Sequence, residues 1–517
     1  MMTPSDALDP KTLPSTNAPS PTLDSDFQPN VIQESRWRAY ARVLSKKLKA
    51  SGVEDTGIVP RSEDDRESLS AWGYLPQFTL WAAWNTNILT FSEGMLGPGL
   101  FGLDLKTSIL SIIFFTAASC IPPAYCAING PRLGMRQMVQ ARYALGYWAA
   151  LVCGFLNCLQ FIGFMSLTVI LGGQSLSLVS QSSMSWTVGI VIVSIISLLL
   201  SFIGLRALHY LSLASFPIVL ILFIVIAGVT GSDLRMATSQ TAHAAAAVTA
   251  SGVLGYGSSL IGFTISYCSL ASDFTTNLPP HTPRLPLFVA IYIGFFVPIV
   301  LVQILGAVAQ TAAFAIPSWD EAAAIGAPDL LFVMVGGGKA ARFVMFLLCF
   351  SVVANTGPTI YSCGLSAQVA IPFLIRVPRY LLAFVVSAVF LPIAIVGSKN
   401  FYSALENFLY ILAYWTAIYI PPIIIEPLIF RRPVSRKTYP LEAWNSPSKL
   451  PIGFGAIAAL VVGVPLIAAG MSQTWWNGWI ARRIPGGYGD IAWEITTVAV
   501  SLVYTVVRYL ERKYTGR

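Results

Sequence analysis

The sequence predicts an all-α integral membrane protein with twelve transmembrane helices, and three observations lead to this prediction. Of the 517 residues, 55% are hydrophobic and only 11% are charged, whereas soluble domains contain roughly 25% charged residues. A helix needs about 20 apolar residues to cross a bilayer, and apolar segments of that length recur along the chain after a polar first part. Twelve spans would occupy about half of the chain and leave short connections. This composition excludes an ordinary soluble enzyme.

A polar tail precedes the apolar segments. The Ser/Thr/Pro-rich run at 3–29 has too few apolar residues to fold and is predicted to be disordered, and a basic stretch at 36–49 follows it. No cleavable signal peptide is expected, because no apolar run follows a short basic head. We therefore predict a cytosolic, largely disordered tail over 1–77, a twelve-helix domain over 78–510 and a short cytosolic tail over 511–517.

The apolar segments are expected to form spans 1 to 12, numbered in chain order. They cover residues 78–100, 107–129, 148–172, 186–205, 210–230, 247–270, 287–313, 341–365, 380–396, 401–425, 451–471 and 491–509. Basic residues are more frequent in the loops on the side that holds both termini. Because cytosolic loops are enriched in Lys and Arg, both termini are predicted to be cytosolic, and the loop around residues 319–330 is predicted to be external.

Polar side chains within the spans are the candidate functional groups, because an unpaired polar group in hydrocarbon is costly. In span 1, Thr86, Thr90, Glu93 and Gly97 recur with helical spacing on one face. Glu93 is the acidic residue near the middle of a span in the first half of the chain. It can act as a proton carrier, or it can be a buried, protonated carboxyl with no further role.

Spans 3 and 6 carry further polar and aromatic patterns. Span 3 repeats the helical spacing with Gln160, Phe164 and Thr168. Span 6 is rich in glycine and serine, and Phe263 and Tyr267 lie on a neighbouring face. Glycine at this density predicts an interrupted helix, although small residues at four-residue spacing also serve close packing between membrane helices.

Span 8 combines an amide with a helix breaker. Asn355 and Thr359 lie on one side of this span, and Pro358 lies in its middle. Proline removes a backbone donor and clashes with the preceding turn, so we expect a broken helix whose free carbonyls can bind a ligand. The amide beside this break favours a functional role for Asn355.

The chemistry of these groups predicts the kind of ligand. No Lys or Arg lies deep within a predicted span, so the site is poorly suited to phosphates or dianions. Aromatic rings with an amide and hydroxyls suit a planar, largely neutral heterocycle, which stacks on a ring and is hydrogen-bonded along its edge. The three histidines are far apart and the seven cysteines show no metal-type spacing, so neither a metal centre nor a disulfide is expected.

Three blocks in order resemble the fungal purine-cytosine permeases of the nucleobase-cation symporter-1 family. GPRLGMRQMVQARYALGYW at 130–148 resembles the family signature between spans 2 and 3. GFTISYCSLASDFTTNLPPHTPR at 262–284 matches the end of span 6, and NFLYILAYWTAIYIPPIIIEPLIFRR at 407–432 resembles span 10 and its cytosolic exit. The resemblance extends from about residue 75 to the end of the chain.

This resemblance implies a five-plus-five inverted-repeat transporter core with two additional C-terminal helices. It implies a substrate site between broken spans 1 and 6 and spans 3 and 8. Asn355 and Pro358 match the motif whose asparagine anchors the nucleobase, and Thr90 matches a hydroxyl of span 1. Four positions depart from the residues common in the family: Phe164 and Tyr267 replace Trp, and Thr168 and Thr359 replace Asn.

We therefore predict an importer of purines, cytosine or similar small planar heterocycles at the plasma membrane, working by proton symport and alternating access. Phe164 and Tyr267 are expected to stack on the ring and Asn355 to bind its edge. Thr90, Thr168 and Thr359 are expected to adjust the fit, Pro358 to keep span 8 broken and Glu93 to couple the proton.

Several alternatives stay open at this point. A permease of the same family for pyridoxine, thiamine or allantoin fits the departures from the family pattern, and hydroxyl and carbonyl oxygens can hold sodium in place of a coupled proton. A membrane-embedded enzyme or a channel is more remote, because the histidines cannot cluster and the polar residues indicate a compact site. The expected partners are the heterocyclic substrate and the lipid bilayer, with no nucleic acid and no bound cofactor. The oligomeric state stays open.

Overall fold

The computed structural model describes residues 57–63, 66, 68–69, 73–202, 205–235, 248–487 and 489–517. All of them belong to one compact unit. Throughout these residues the regular structure is helical, apart from a single antiparallel bridge between Ser472 and Asn477. The all-α prediction is confirmed for this part of the chain.

Helices cover each of the twelve predicted spans. Span 1 comprises Leu75–Asn85 and Ile88–Gly99, and span 2 comprises Leu105–Ser119 and Ile121–Ala127. The others are Tyr147–Val179, Trp186–Ser201, Leu205–Val229, Ala250–Ile265, Arg284–Ala313, Gly338–Ala370, Arg379–Gly397, Phe401–Ile425, Phe454–Gly470 and Ala492–Thr515 for spans 3 to 12. Short helices at Gln137–Leu145, Pro317–Ile325 and Ala327–Met334 lie in the loops.

Continuous apolar length differs among these spans. In the described residues, five helical stretches are long and apolar enough to cross a membrane: Leu105–Leu133, Tyr147–Val179, Arg284–Ala313, Gly338–Ala370 and Arg379–Phe430, the last of which joins spans 9 and 10. Spans 4 and 11 and most of span 5 are shorter apolar helices. Span 1 is divided into two short halves, and span 12 ends in the charged residues Arg508, Glu511 and Arg512.

The break in span 1 follows from its Asn-Thr-Asn sequence. Thr86 leaves the helical conformation with ψ at 78°, and Asn87 is extended with φ at −151° and ψ at 173°. The Asn87 side chain accepts a hydrogen bond from the Thr90 N–H at 3.0 Å. Asparagine is among the best residues for this capping role, so the sequence both ends the first half-helix and starts the second.

Span 6 differs from the prediction that its glycines interrupt the helix. The glycine-rich part is α-helical over Ala250–Ile265, and the chain then tightens into 3-10 helices at Ser266–Ser269 and Ala271–Phe274. A β-carbon added to Gly262 would lie 2.0 Å from the Leu409 carbonyl oxygen of span 10. These glycines therefore serve close packing, and the irregular backbone follows them.

Span 7 crosses the second half of span 1 at very short range. A β-carbon on Gly94 would lie 2.0 Å from the Gln303 carbonyl oxygen, and one on Gly306 would lie 2.1 Å from the Phe91 carbonyl oxygen. Any side chain larger than hydrogen would push the two helices apart, as expected for small residues at membrane-helix contacts.

The described end of the predicted N-terminal tail is folded. The Arg61 N–H donates to the Gly134 carbonyl at 2.9 Å, Arg436 Nη2 donates to the Arg61 carbonyl at 2.6 Å, and Ile58 is 1% exposed. The expectation of disorder up to residue 77 does not hold for 57–63, because loop residues supply its partners. The predicted disordered run at 3–29 and the basic stretch at 36–49 lie outside the described residues.

A buried ion cluster joins spans 10 and 12. Arg508 is fully buried, and its Nη2 lies 2.9 Å from Glu426 Oε1 while its Nη1 lies 3.1 Å from Glu511 Oε2. Glu511 Oε1 also accepts a hydrogen bond from the Gly453 N–H ahead of span 11 at 2.8 Å. The cluster thus fastens the two C-terminal helices to the rest of the bundle.

We expect Arg508→Ala to lower the stability of the protein by about 3 to 5 kcal/mol, because two carboxyl groups lose their buried partner. Thermal unfolding of detergent-purified protein measures the effect, and Lys513→Ala on the exposed face of the same helix is the control. An unchanged melting temperature for Arg508→Ala would contradict the structural role of the cluster.

Candidate substrate site

A cavity lies where spans 1, 3, 6 and 8 meet, next to the breaks in spans 1 and 6. Its free volume is about 20 Å³, so the cavity is nearly closed in this structure. Its lining residues are Trp84, Asn87, Leu89, Gln160, Phe161, Phe164, Phe263, Ser266, Tyr267, Leu270, Asn355 and Thr359. Every one of these lining residues is uncharged.

Two predicted aromatic residues form neighbouring parts of the cavity wall. The Phe164 and Tyr267 rings are nearly parallel, with centroids 6.3 Å apart and an interplanar angle of 22°. Phe263 and Phe408 pack their edges against Phe164 at 6.2 and 5.1 Å, and Trp81 packs against Tyr267 at 5.9 Å. Edge-to-face contacts of this kind are favourable and fix ring orientation. The two rings therefore present defined faces.

Asn355 brings its amide to the same cavity. Its Nδ2 donates to the Trp84 carbonyl at 2.8 Å, in the last turn before the break in span 1. This bond uses one of the two N–H groups of the amide, which also has a carbonyl acceptor. Phe164, Tyr267 and Asn355 of spans 3, 6 and 8 were predicted to share one site, and all three line this cavity.

The three predicted threonines have different positions. Thr359 lines the cavity, and its hydroxyl donates to the backbone carbonyl of Asn355 at 2.8 Å. Thr90 and Thr168 are fully buried behind the lining: Thr90 bonds Asn87 Oδ1, and the Thr168 hydroxyl donates to the Phe164 carbonyl at 2.7 Å. The expected direct contribution of Thr90 and Thr168 to the lining is not observed, because helical threonines bond readily to backbone or side chains of the preceding turn.

The predicted break at Pro358 is wrong. Span 8 is one continuous helix from Gly338 to Ala370 with Pro358 inside it, and Pro358 is not part of the cavity lining. Proline is tolerated in membrane helices where neighbouring helices and hydroxyl groups compensate for the lost donor. Because Pro358 has no N–H, it cannot donate the usual helical hydrogen bond to the Ala354 carbonyl. The irregular backbone beside the cavity nevertheless belongs to spans 1 and 6.

Glu93 lies outside the cavity, on the second half of span 1. It is fully buried, and its Oε1 accepts a hydrogen bond from the Ser259 hydroxyl of span 6 at 2.7 Å. Its Oε2 has no hydrogen-bond partner among the described residues. The carboxyl therefore bridges the two broken spans with one oxygen and keeps the other unpaired.

Sequence reasoning did not assign several lining residues. Gln160 donates from Nε2 to the Ser266 carbonyl at 3.1 Å and accepts from Trp415 Nε1 at 3.1 Å, so both ends of its amide bind protein. Its helical spacing with Phe164 was a signal for this position. Trp84 and Asn87 line the cavity because of the break at Thr86, which the family resemblance implied for span 1 and which the Asn-Thr-Asn sequence explains.

A set of hydrogen bonds joins the loop between spans 2 and 3 to spans 6 and 8. Arg136 donates from Nη1 to the Asp273 carbonyl at 2.6 Å and from Nη2 to the Tyr361 hydroxyl at 2.7 Å. The Gln137 N–H donates to Asp273 Oδ1 at 2.7 Å. The 130–148 block thus connects the end of span 6 to span 8.

The chain is similar to permeases and vitamin transporters. Residues 66–478 match a family of permeases for cytosine/purines, uracil, thiamine and allantoin. Purine-cytosine permease FCY21 of Saccharomyces cerevisiae is 31% identical over 99% of this chain and 95% of its own length, and FCY22 of the same organism is 33% identical over 90% and 88%. Vitamin B6 transporter TPN1 of S. cerevisiae is 28% identical over 94% and 91%.

Solved structures identify the fold. MHP1, a nucleobase-cation-symport-1 family transporter in a closed conformation with bromovinylhydantoin bound, superposes with a TM-score of 0.68 at 14% identity and covers 89% of this chain and 96% of its own. Its inward-facing form gives a TM-score of 0.65 over the same shares. The predicted fold, a five-plus-five inverted-repeat core with two further helices, is confirmed. The chain belongs to the family of membrane permeases for cytosine and purines, uracil, thiamine and allantoin.

Proposed function

We propose that this protein imports nucleobases, with purines and cytosine as the first candidates, by proton symport and alternating access at the plasma membrane. The observation that supports this most directly is the uncharged cavity lined by the nearly parallel rings of Phe164 and Tyr267 and by the amide of Asn355. Parallel rings suit a flat ligand, and an amide can donate to and accept from the edge of a heterocycle.

The ring spacing sets a geometric condition for binding. A flat ring between two others needs about 3.5 to 4.0 Å on each face, or about 7 to 8 Å in total. The Phe164 and Tyr267 centroids are 6.3 Å apart, so the rings have to separate by about 1 to 2 Å. Tyr267 lies in the 3-10 segment after span 6, and irregular backbone of this kind is a frequent hinge.

Alternating access follows from the two broken spans. Spans 1 and 6 each lose regular α-helical structure beside the cavity, so their halves can move separately. The bonds of Arg136 to Asp273 and Tyr361 would have to open to release substrate toward the loop between spans 2 and 3. Under the proposed orientation, with both termini cytosolic, this is the cytosolic exit.

Vitamin B6 is the second candidate cargo. The amides of Gln160 and Asn87 already bind protein groups, and Thr359 donates its hydroxyl hydrogen to Asn355. The Asn355 amide also has protein partners, the Trp84 carbonyl and the Tyr267 hydroxyl, so the lining amides do not select a nucleobase over pyridoxine. The similarity to a vitamin B6 transporter supports the same candidate.

Uptake of radiolabelled cytosine, adenine, hypoxanthine and pyridoxine in a transport-deficient host tests the cargo. We expect saturable uptake of at least one nucleobase. Saturable uptake of pyridoxine alone would replace the first candidate by the second, and no saturable uptake of any of the four by correctly localised protein would contradict the proposal.

We expect Asn355→Ala to weaken uptake of the transported ring about 5- to 150-fold, because a lost hydrogen bond to the edge is worth about 1 to 3 kcal/mol. The KM and the surface amount of the variant are measured together. Asn407→Ala is the matched control, since that amide bonds within its own helical turn to Ser403. Equal KM values for both variants and the unaltered protein would contradict the role of Asn355.

Glu93 is the proposed proton-coupling group. Glu93→Gln retains an acceptor for the Ser259 hydroxyl and removes the titratable proton, so we expect accumulation driven by a pH gradient to be lost while exchange of internal for external substrate persists. Ser92→Ala on the same helical turn, whose hydroxyl bonds the Ile88 carbonyl, is the control. If accumulation by the unaltered protein does not depend on the pH gradient but stops when sodium is withdrawn, sodium is the coupling ion.

The proposed orientation has its own test. A glycosylation acceptor inserted in the loop at 319–330 is expected to be modified, because that loop is external when both termini are cytosolic. If an acceptor inserted at residue 436 is modified and one inserted at 319–330 is not, the proposed orientation is wrong.

A further inference from the structure

A second group of buried polar side chains lies outside the cavity, at the loop between spans 11 and 12. Asp490 of this loop is fully buried and accepts hydrogen bonds from the Tyr414 hydroxyl of span 10 and the Ser258 hydroxyl of span 6. The N–H groups of Ser472 and Ala492 also donate to it, at 2.9 and 3.2 Å. The two backbone N–H groups fasten the loop through different oxygens of the carboxyl, so an asparagine, which has one oxygen, could accept only one of them. The contact with the tyrosine hydroxyl adds a group that can pass on a proton.

Two tyrosines continue from Asp490 along span 10. Tyr410 and Tyr414 are four residues apart, and their rings are parallel with centroids 6.4 Å apart. The Tyr410 hydroxyl lies against span 6, since a β-carbon on Gly255 would be 2.9 Å from it. Gly255 therefore leaves the room that this hydroxyl occupies, one helical turn before Ser259.

Span 6 connects both ends of this group with adjacent residues. The Ser258 hydroxyl donates to Asp490 Oδ1 at 3.3 Å, and the Ser259 hydroxyl donates to Glu93 Oε1 at 2.7 Å. Tyr410 lies within electrostatic range of both Asp490 and Glu93. The two carboxyl groups therefore bond to adjacent residues of span 6, and Tyr410 lies near both.

We propose that Asp490, Tyr414 and Tyr410 form a proton path from the external loop to Glu93. The inference depends on the proposed proton coupling and orientation, and it adds the route and its residues. When the loop opens, hydronium from the external medium protonates the Asp490 carboxylate and becomes water. The Tyr414 hydroxyl, which donates to Asp490 in this structure, then turns toward Tyr410 and passes its proton on, while protonated Asp490 gives its proton to the Tyr414 oxygen. Tyr410 in turn accepts one proton and releases its own to Glu93, with a water molecule bridging any gap. Both tyrosines end neutral, one proton has reached Glu93, and no electron moves.

The protonation behaviour of Asp490 fits this role. Burial raises the pKa of Asp490 to about 6, against the opposing effect of its hydrogen bonds from Tyr414, Ser472, Ala492 and Ser258. Its carboxyl therefore gains and loses a proton in a mildly acidic medium. Glu494 of span 12 faces Asp490, and Glu406 of span 10 faces both Tyr410 and Glu93. Glu406 is thus the other carboxyl that could supply Tyr410.

The test uses two transport modes in proteoliposomes of the full chain, with the best-transported member of the cytosine, adenine, hypoxanthine and pyridoxine panel. Accumulation driven by a pH gradient needs a proton to reach and leave Glu93, whereas exchange at equal pH does not. We expect Asp490→Asn and Tyr410→Phe each to reduce gradient-driven initial uptake at least about tenfold and to keep exchange within about twofold. Tyr414→Phe is the second relay variant if Asp490→Asn does not reach the membrane.

Tyr402→Phe is the matched control, because this tyrosine of span 10 donates to the Ala323 carbonyl, away from the path. It is expected to retain both modes. Normal gradient-driven uptake in Asp490→Asn and Tyr410→Phe, with coupling lost in Glu93→Gln, would overturn the path and leave the coupling group in place. Equal loss of both modes would overturn it in favour of a structural role, and loss of coupling in Glu406→Gln but not in Asp490→Asn would overturn it in favour of Glu406. Uptake by the unaltered protein that ignores the pH gradient would refute the proposed coupling itself.

Discussion

The hydrogen bond from Asn355 Nδ2 to the Trp84 carbonyl is the interaction on which the site depends. A bilayer core offers no water to backbone groups, so a helix that breaks within it must find partners for its freed carbonyls inside the protein. Span 1 breaks at Thr86 and Asn87, and span 8 supplies one partner from a side chain. The same bond fixes the amide at the cavity wall, beside the parallel rings of Phe164 and Tyr267.

The group proposed to bind the substrate and the group proposed to carry the proton lie in different places. The lining of the cavity is uncharged, which suits a neutral ring, whereas the carboxyl of Glu93 is held between spans 1 and 6 by Ser259. Both sites share the broken spans, so a movement of one half-helix changes the surroundings of the substrate and of the carboxyl together. The close packing of Gly94 against Gln303 and of Gly306 against Phe91 joins span 7 to the second half of span 1. These two segments are therefore expected to move as one body.

Sequence reasoning succeeded where helical periodicity decides the outcome. The apolar segments gave all twelve spans, and the polar spacing in spans 3, 6 and 8 brought Phe164, Tyr267 and Asn355 to one cavity. The predictions were wrong where a side chain or segment has another bonding partner nearby or elsewhere in the fold. The hydroxyls of Thr90 and Thr168 bind neighbours in their own helices, Pro358 stays within a continuous helix, and residues 57–63 find partners in distant loops. Periodicity gives the face on which a side chain lies but not the bond that it prefers.

A structure of the protein with a transported nucleobase bound tests the central claim most directly. The account predicts that the base lies between Phe164 and Tyr267, with the two ring centroids about 7 to 8 Å apart and one edge of the base within hydrogen-bonding distance of Asn355. A base bound outside spans 1, 3, 6 and 8, or one bound among them without contact to Asn355 and both rings, would contradict it.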